Sequence, residues 1–196
     1  MDANNVIKTI LSRRSQRSFE SEQIKDDELF WIVEAGRSAP SGGNNQNCHF
    51  IVIQKEEMLE KLKETVRDEF ALMSADESTY SSLRQSIERS KTGAYDFSYN
   101  APTLIVIANK KSYPNAMADS CVAIENMIIA ATSLGIGSCY INQLHWLSEN
   151  EKVRSVLYGM SLKEDEIVCC SLALGYPLDA PVAKAPLHGN LVTYIK

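Results

Sequence analysis

Thr103-Leu104-Ile105-Val106-Ile107-Ala108, entered through Pro102, is an unbroken run of apolar and mostly β-branched residues. Without polar alternation it reads as a strand covered on both faces, the interior of a sheet packed between other layers. Two further runs, His49 to Ile53 and Ile167 to Leu174, read as companion strands. Helical spacing fills the intervals. Val6, Ile7, Ile10 and Leu11 follow Asn4 and Asn5, which are capping residues. A second helix starts near Asp26 and Asp27, buries Leu29, Ile32, Val33 and Gly36, and stops at Pro40. Met58, Leu62, Val66 and Phe70 mark a third.

Met117, Cys121, Ile124, Ile128 and Ala131 form one stripe of a long helix closed by Gly135. Val122, Ile129 and Ala130 make its other faces apolar, so protein is expected all round it. Ser148-Glu149-Asn150-Glu151 has capping-box spacing and opens a helix through Val153, Val156 and Leu157 to Gly159. Residues 73–100 are mainly polar, with Tyr80, Leu83 and Ile87 marking an exposed helix. This segment is a candidate lid, its Tyr80, Tyr95, Phe97 and Tyr99 available to line a channel. Leu191 to Ile195 is strand-like and needs a sheet edge on its own subunit or a second one. Helices alternate with short strands and no repeat is found, so the class is mixed α and β in one domain, residues 1–196.

A net charge of −5, with no basic run outside residues 13–17, argues against a nucleic-acid surface and for a small-molecule partner. No apolar run approaches the roughly 20 residues of a membrane span, and residues 1–5 carry no leader pattern, so a cytoplasmic protein is expected. Cys48, Cys121, Cys139, Cys169 and Cys170 form no CxxC pair and read as reduced core thiols. His49, His145 and His188 lack metal spacing, and no metal is expected. Adjacent Cys48 and His49 point to opposite faces of a strand, which disfavours a thiol hydrolase.

Two segments remain that packing does not explain. Arg13-Arg14-Ser15-Gln16-Arg17 offers guanidinium forks suited to phosphate oxygens, although such a cluster also suits a solvated helix end. Ala39-Pro40-Ser41-Gly42-Gly43-Asn44-Asn45-Gln46 offers close backbone approach and amide donors and acceptors, as the edge of a heterocycle requires. A phosphate at one end and a flat ring at the other describe a nucleotide or a flavin. There is no Walker loop, and Gly135-Ile136-Gly137 meets Tyr140 where a dinucleotide fingerprint has its third glycine.

The chain resembles the FMN-dependent nitroreductase family over nearly its whole length. The resemblance rests on Arg13-Arg14-Ser15-x-Arg17-x-Phe19, Ala39-Pro40-Ser41-Gly42-Gly43-Asn44-x-Gln46, Asn100-Ala101-Pro102, and Asn126 leading to Leu134-Gly135-Ile136-Gly137-Ser138. It implies an α+β, three-layer α-β-α sandwich forming an intertwined homodimer, with two FMN sites in the interface and the 178–196 tail packed on the partner subunit. It implies Arg13, Arg14, Ser15 and Lys184 at the phosphate and ribityl chain, and Arg17 at the N1 and O2 edge of the ring. Pro40, Ser41, Gly42, Asn44 and Gln46 would meet the ring from the partner subunit. Tyr140, Ile141, Asn142 and Gln143 would offer backbone N–H groups near N5 and O4. No side chain need act as acid or base, because the flavin carries the chemistry.

The implied reaction is ping-pong. NADH or NADPH delivers hydride to N5 and leaves; a nitroaromatic, quinone or similar flat electron-poor acceptor then enters. A flavin-binding sensor or store with little turnover is the alternative. Three positions depart from the family pattern: Asn47-Cys48 replaces a frequent Pro-Trp, Glu125 stands where Gln is frequent, and Lys184 is followed by Ala185 and Pro186 instead of a second basic residue.

Overall fold

The run that opened the sequence becomes the second strand of a four-stranded antiparallel sheet. The computed structural model describes residues 3–179 and 189–196. The strands are β1 (His49–Ile53), β2 (Thr103–Lys110), β3 (Gly137–Ile141) and β4 (Glu166–Gly175), in spatial order β1-β2-β4-β3. Every residue of β2 except Lys110 is buried. Alternate side chains serve two cores. Leu104, Val106 and Ala108 join one core with α3 (Glu56–Ala71), α4 (Ser81–Ser90) and α7 (Glu151–Tyr158). Ile105 and Ile107 join the other with α2 (Asp26–Arg37) and α5 (Ala116–Ser133). The sheet is thus the middle layer of an α-β-α sandwich.

A register shift opposite Ile107 and Ala108, which pair with Cys170 and Val168, leaves Cys169 as an extra residue in β4. Cys169 and Cys170 therefore both enter the second core. Burial pushes both thiols up, as expected of packing residues.

The two helices of the α5 layer meet closely. A Cβ on Gly36 of α2 would lie 2.7 Å from Met127 Cγ and 3.2 Å from Phe50 Cε1, so glycine lets α2 approach α5. Glu28 caps α2 by accepting from the Lys25 N–H at 3.2 Å. α5 ends in a Schellman arrangement, with Gly135 N–H donating to Thr132 O at 3.2 Å and Ile136 N–H to Ala131 O at 2.9 Å.

Several expectations need correction. The buried side of α5 is Ala116, Ser120, Ala123, Ile124, Met127, Ile128 and Ala131, whereas Met117 and Val122 are 38% and 42% exposed. Among the described residues, the main elements packed against α5 are the sheet, α2 and α1 (Asn5–Ser12). The cap of α7 is Asn150, whose Oδ1 accepts from Lys152 and Val153 N–H groups at 3.0 Å. Ser148 belongs instead to the turn closing α6 (Gln143–Trp146), donating its N–H to His145 O.

The 73–100 segment contains α4, but Ile87, Tyr95 and Phe97 are buried in the first core, which leaves Tyr80 and Tyr99 as its accessible aromatics. Residues 191–195 form no strand within their own chain, and Leu191, Val192, Tyr194 and Ile195 are exposed. Asn4 does cap α1, accepting from Ile7 N–H at 3.0 Å. No residue of α1 is buried: Val6, Ile7, Ile10 and Leu11 show their apolar face.

Candidate functional site: a cofactor site in two halves

Arg13 caps α1, donating its N–H to Thr9 O at 3.1 Å, and the chain then runs along the sheet edge. Ser15 bridges Ser138 in parallel, Gln16 N–H donates to Ser138 O at 2.8 Å, and Phe19 bridges Pro177. The arginine segment is thereby fixed beside the start of β3. Arg13 and Arg14 are half-buried; Ser15 and Arg17 are exposed.

The Arg17 guanidinium lies 5.8 Å from the Tyr99 ring centroid. Tyr99 and Asn100 both adopt left-handed backbone, at φ 59° and 56°. Asp96 holds that turn by accepting from Ser98 N–H and Ser98 Oγ–H at Oδ1 and from Asn100 N–H at Oδ2, each at 2.7 Å, while Lys63 Nζ sits 3.3 Å from the same Oδ2. Burial works against the charge of Arg17, while Cys139 and Tyr99 beside it raise its pKa where they ionise; the guanidinium is protonated at any working pH in either case. Burial pushes the Cys139 thiol up despite Arg17 and Arg13 nearby, so it remains a neutral thiol.

The glycine-rich loop forms a single 3-10 turn over Gly42–Asn44. Gly43, Asn44 and Gln46 have φ of 60°, 54° and 52°, three left-handed residues within four. Backbone in that region is costly for a residue such as glutamine, by about 1–3 kcal/mol, and persists only where the surroundings impose it. Here they do. Asn44 N–H donates to Ser41 O at 2.9 Å, Gln46 N–H to Ser41 Oγ at 3.0 Å, and Gln46 Nε2 to Asn44 Oδ1 at 3.1 Å. Gly42 N–H donates to both oxygens of Asp119 at 3.2 Å, and Tyr113 O–H reaches Gly42 O at 3.0 Å. A Cβ on Gly42 would lie 2.3 Å from Asn115 Nδ2 and 2.7 Å from Tyr113 Oη. Pro40, Ser41, Gln46, Cys48, Phe50 and Asp119 are among the walls of a cavity of 260 Å³ beside this turn.

Tyr140 and Ile141 end β3, Tyr140 against the second core and Ile141 in the first. Burial pushes the Tyr140 phenol well up. Asn142 caps α6. Gln143 donates its side-chain amide to Tyr95 Oη at 2.8 Å and Ser86 Oγ at 3.3 Å, so its side chain serves the core. Lys184 lies outside the described residues.

Two rulers give the separation of the halves. Asp119, bonded to the loop, and Ser133, five residues before Ser138, are fourteen residues apart on α5, or about 21 Å at 1.5 Å per residue. Ser138 pairs with Leu174, which pairs with Thr103, whereas Tyr113 follows Lys110 at the far end of β2, a strand roughly 24 Å long. The arginine segment and the glycine-rich loop therefore occupy opposite ends of one subunit. Sequence reasoning did not find Asp119, Tyr113 or the Asp96 turn; an acid inside the otherwise apolar first turns of α5 was the available signal.

His49 and Cys48 diverge, as their alternation requires. His49 Nδ1 meets Glu166 Oε2 at 2.8 Å, while Cys48 Sγ is 3.7 Å from Ser120 Oγ. Among the described residues no group of three or more His, Cys, Asp or Glu is placed to hold a metal, and no helix is long and apolar enough to cross a membrane.

Residues 10–176 match the nitroreductase family. The chain is similar to a crystal structure of a nitroreductase with bound FMN from Bacteroides fragilis, with 36% identity and a TM-score of 0.88 over 99% of this chain and 100% of that one. It is 30% identical over 181 residues to a protein of Archaeoglobus fulgidus, covering 88% of this chain and 86% of that one. It is 27% identical to the NADPH-flavin oxidoreductase of Vibrio harveyi, covering 97% of this chain and 73% of that protein. With its sandwich, its arginine edge and its glycine-rich turn in the matched order, this chain belongs to the nitroreductase family.

Proposed function

We propose that this chain is a cytoplasmic, NAD(P)H-dependent FMN oxidoreductase acting as a homodimer, with two cofactor sites each built from both subunits. The observation that carries the reading is the separation of about 21 Å between the arginine edge and the glycine-rich turn along α5. With the two segments at opposite ends of one chain, a two-fold pair brings each to the other's complement twice. Exposed apolar surface supports the same pairing: the α1 stripe, Met117 and Val122 on α5, and Leu191, Val192, Tyr194 and Ile195 in the tail. The five free cysteines accord with a reducing compartment.

The residues fit the cofactor. Arg13 and Arg14 are fixed at a sheet edge with forked donors for phosphate, Ser15 adds a hydroxyl, and Lys184 adds a cation from the tail. The Gly42 turn, packed too closely on Asn115 and Tyr113 to admit a side chain, carries the amides of Asn44 and Gln46 at its rim. FMN, when bound, supplies the two-electron chemistry at N5. Arg17, firmly protonated, places positive charge where negative charge develops on reduction. The backbone N–H groups of Tyr140 to Gln143 orient the ring without acting as acids. NADH or NADPH enters first and leaves oxidised; a flat electron-poor acceptor, a nitroaromatic or quinone, then occupies the same pocket.

An anaerobic titration of FMN-loaded protein with NADH and then NADPH, followed at about 450 nm, tests this, because a competent flavin must change redox state. Bleaching reversed by a nitroaromatic or quinone is expected. Bound flavin that neither donor bleaches would replace the reductase with a sensor or store, and absence of flavin binding would remove the cofactor assignment.

A further inference from the structure

Asp119 is a buried carboxylate, 8% exposed, that none of the contacts assigned above to FMN uses. Both its oxygens accept from Gly42 N–H at 3.2 Å, and Oδ2 also lies 2.9 Å from the Tyr113 hydroxyl. That hydroxyl also lies 3.0 Å from Gly42 O, so its one proton is shared between the carboxylate and the carbonyl, and Asp119 and Tyr113 together engage both the N–H and the carbonyl of one glycine. Both sit at or just before the start of α5, the most buried helix of its layer. The turn they grip holds three left-handed residues, two of them not glycine. A charge-assisted bond to buried backbone is about twice as strong as a neutral one, enough to offset strain of that size.

We propose that Asp119 and Tyr113 are positioning residues for the flavin: they hold the Ser41–Gln46 turn in the one conformation that lies against the ring. The inference rests on the cofactor reading above. Gly42 N–H is committed to Asp119 and does not serve the ligand; its role is to transmit the position of α5 to Ser41, Asn44 and Gln46. Where the turn loses this grip, its ordered form becomes a fraction of the population, and apparent affinity falls by that fraction.

The test uses full-length Asp119→Asn and Tyr113→Phe proteins, with Arg13→Gln/Arg14→Gln as a control for the cofactor site. FMN dissociation constants are measured by flavin fluorescence, together with the thermal midpoint of each apoprotein and the spectrum of the bound flavin. Asp119→Asn is expected to weaken FMN about tenfold and Tyr113→Phe about threefold, as a turn ordered a tenth or a third of the time requires, with an altered bound-flavin spectrum. A merely structural role would lower the thermal midpoint and leave the affinity and spectrum of folded protein as in the parent. That result overturns the proposal, as does unchanged FMN affinity in both variants while the arginine control is impaired. Should Asp119→Asn fail to fold, Tyr113→Phe alone decides by the same criteria. Parent protein that binds no FMN would overturn the cofactor reading itself and this proposal with it.

Discussion

Arg17 lies over an aromatic ring whose own backbone is left-handed, and that backbone is held by Asp96. A guanidinium seated this way keeps its position as well as its charge. Arg17→Gln is expected to make the flavin midpoint potential more negative and to slow reduction by NADH roughly tenfold, the equivalent of about 1.4 kcal/mol in the barrier. Spectroelectrochemistry and stopped-flow reduction check the two effects; an unchanged potential would remove Arg17 from the ring.

Glu166 illustrates a different residue-scale effect. Burial raises its carboxyl, but the bond to His49 at 2.8 Å and the Lys163 N–H at 3.0 Å outweigh burial, so its pKa is lowered. A lowered folded value means its contribution is fully present above the ordinary glutamate value of about 4.3 and is lost as pH falls through the folded value. The thermal midpoint should therefore drop on acidification below about pH 4, and Glu166→Gln should flatten that decline.

Between elements, Gly36 decides how closely α2 and α5 meet. Gly36→Ala would press a methyl against Met127 and Phe50 and should destabilise the fold by about 1–3 kcal/mol, measured by denaturant unfolding. Elements that a single pattern dictates were legible in the sequence. β2 is one, because burial on both faces demands an unbroken apolar run. α1 is another, since Asn4 and its stripe mark start and face. What the pattern did not contain was the identity of the neighbour. Met117 and Val122 look like core residues because hydropathy cannot tell surface covered by the same chain from surface left over. Tyr95 and Phe97 stand among polar residues, and their burial is decided by packing on α3 and α4, which periodicity around them does not reveal. Ser148 and Asn150 both have capping chemistry, and only the turn after α6 chooses between them. At the proposed site, the two segments stood out in composition; the Asp119 and Tyr113 grip on Gly42 did not, being a contact across more than seventy positions of chain.

For the whole molecule, the placement of the two half-sites makes a sharp prediction. A protein carrying Arg13→Gln/Arg14→Gln and another carrying Ser41→Ala/Asn44→Ala should each bind FMN poorly as homodimers. Mixed under conditions that exchange subunits, they should form hybrids with one wholly intact site and one doubly impaired site. Flavin binding and NADH oxidation should then return to about a quarter of the parent value in a random 1:1 mixture, where half the dimers are hybrids with one intact site each. If each site lay within a single chain, mixing would restore nothing.

On the proposed two-chain site, the span of α5 would also tie cofactor occupancy to protein concentration. A ligand clasped by two polypeptides favours their association by the same free energy with which association favours the ligand. Dilution should therefore strip FMN more steeply than a simple one-site equilibrium allows, and added FMN should slow subunit exchange. Newly made chains would remain colourless until they met a second copy, so the yellow of this protein would report assembly as well as cofactor supply.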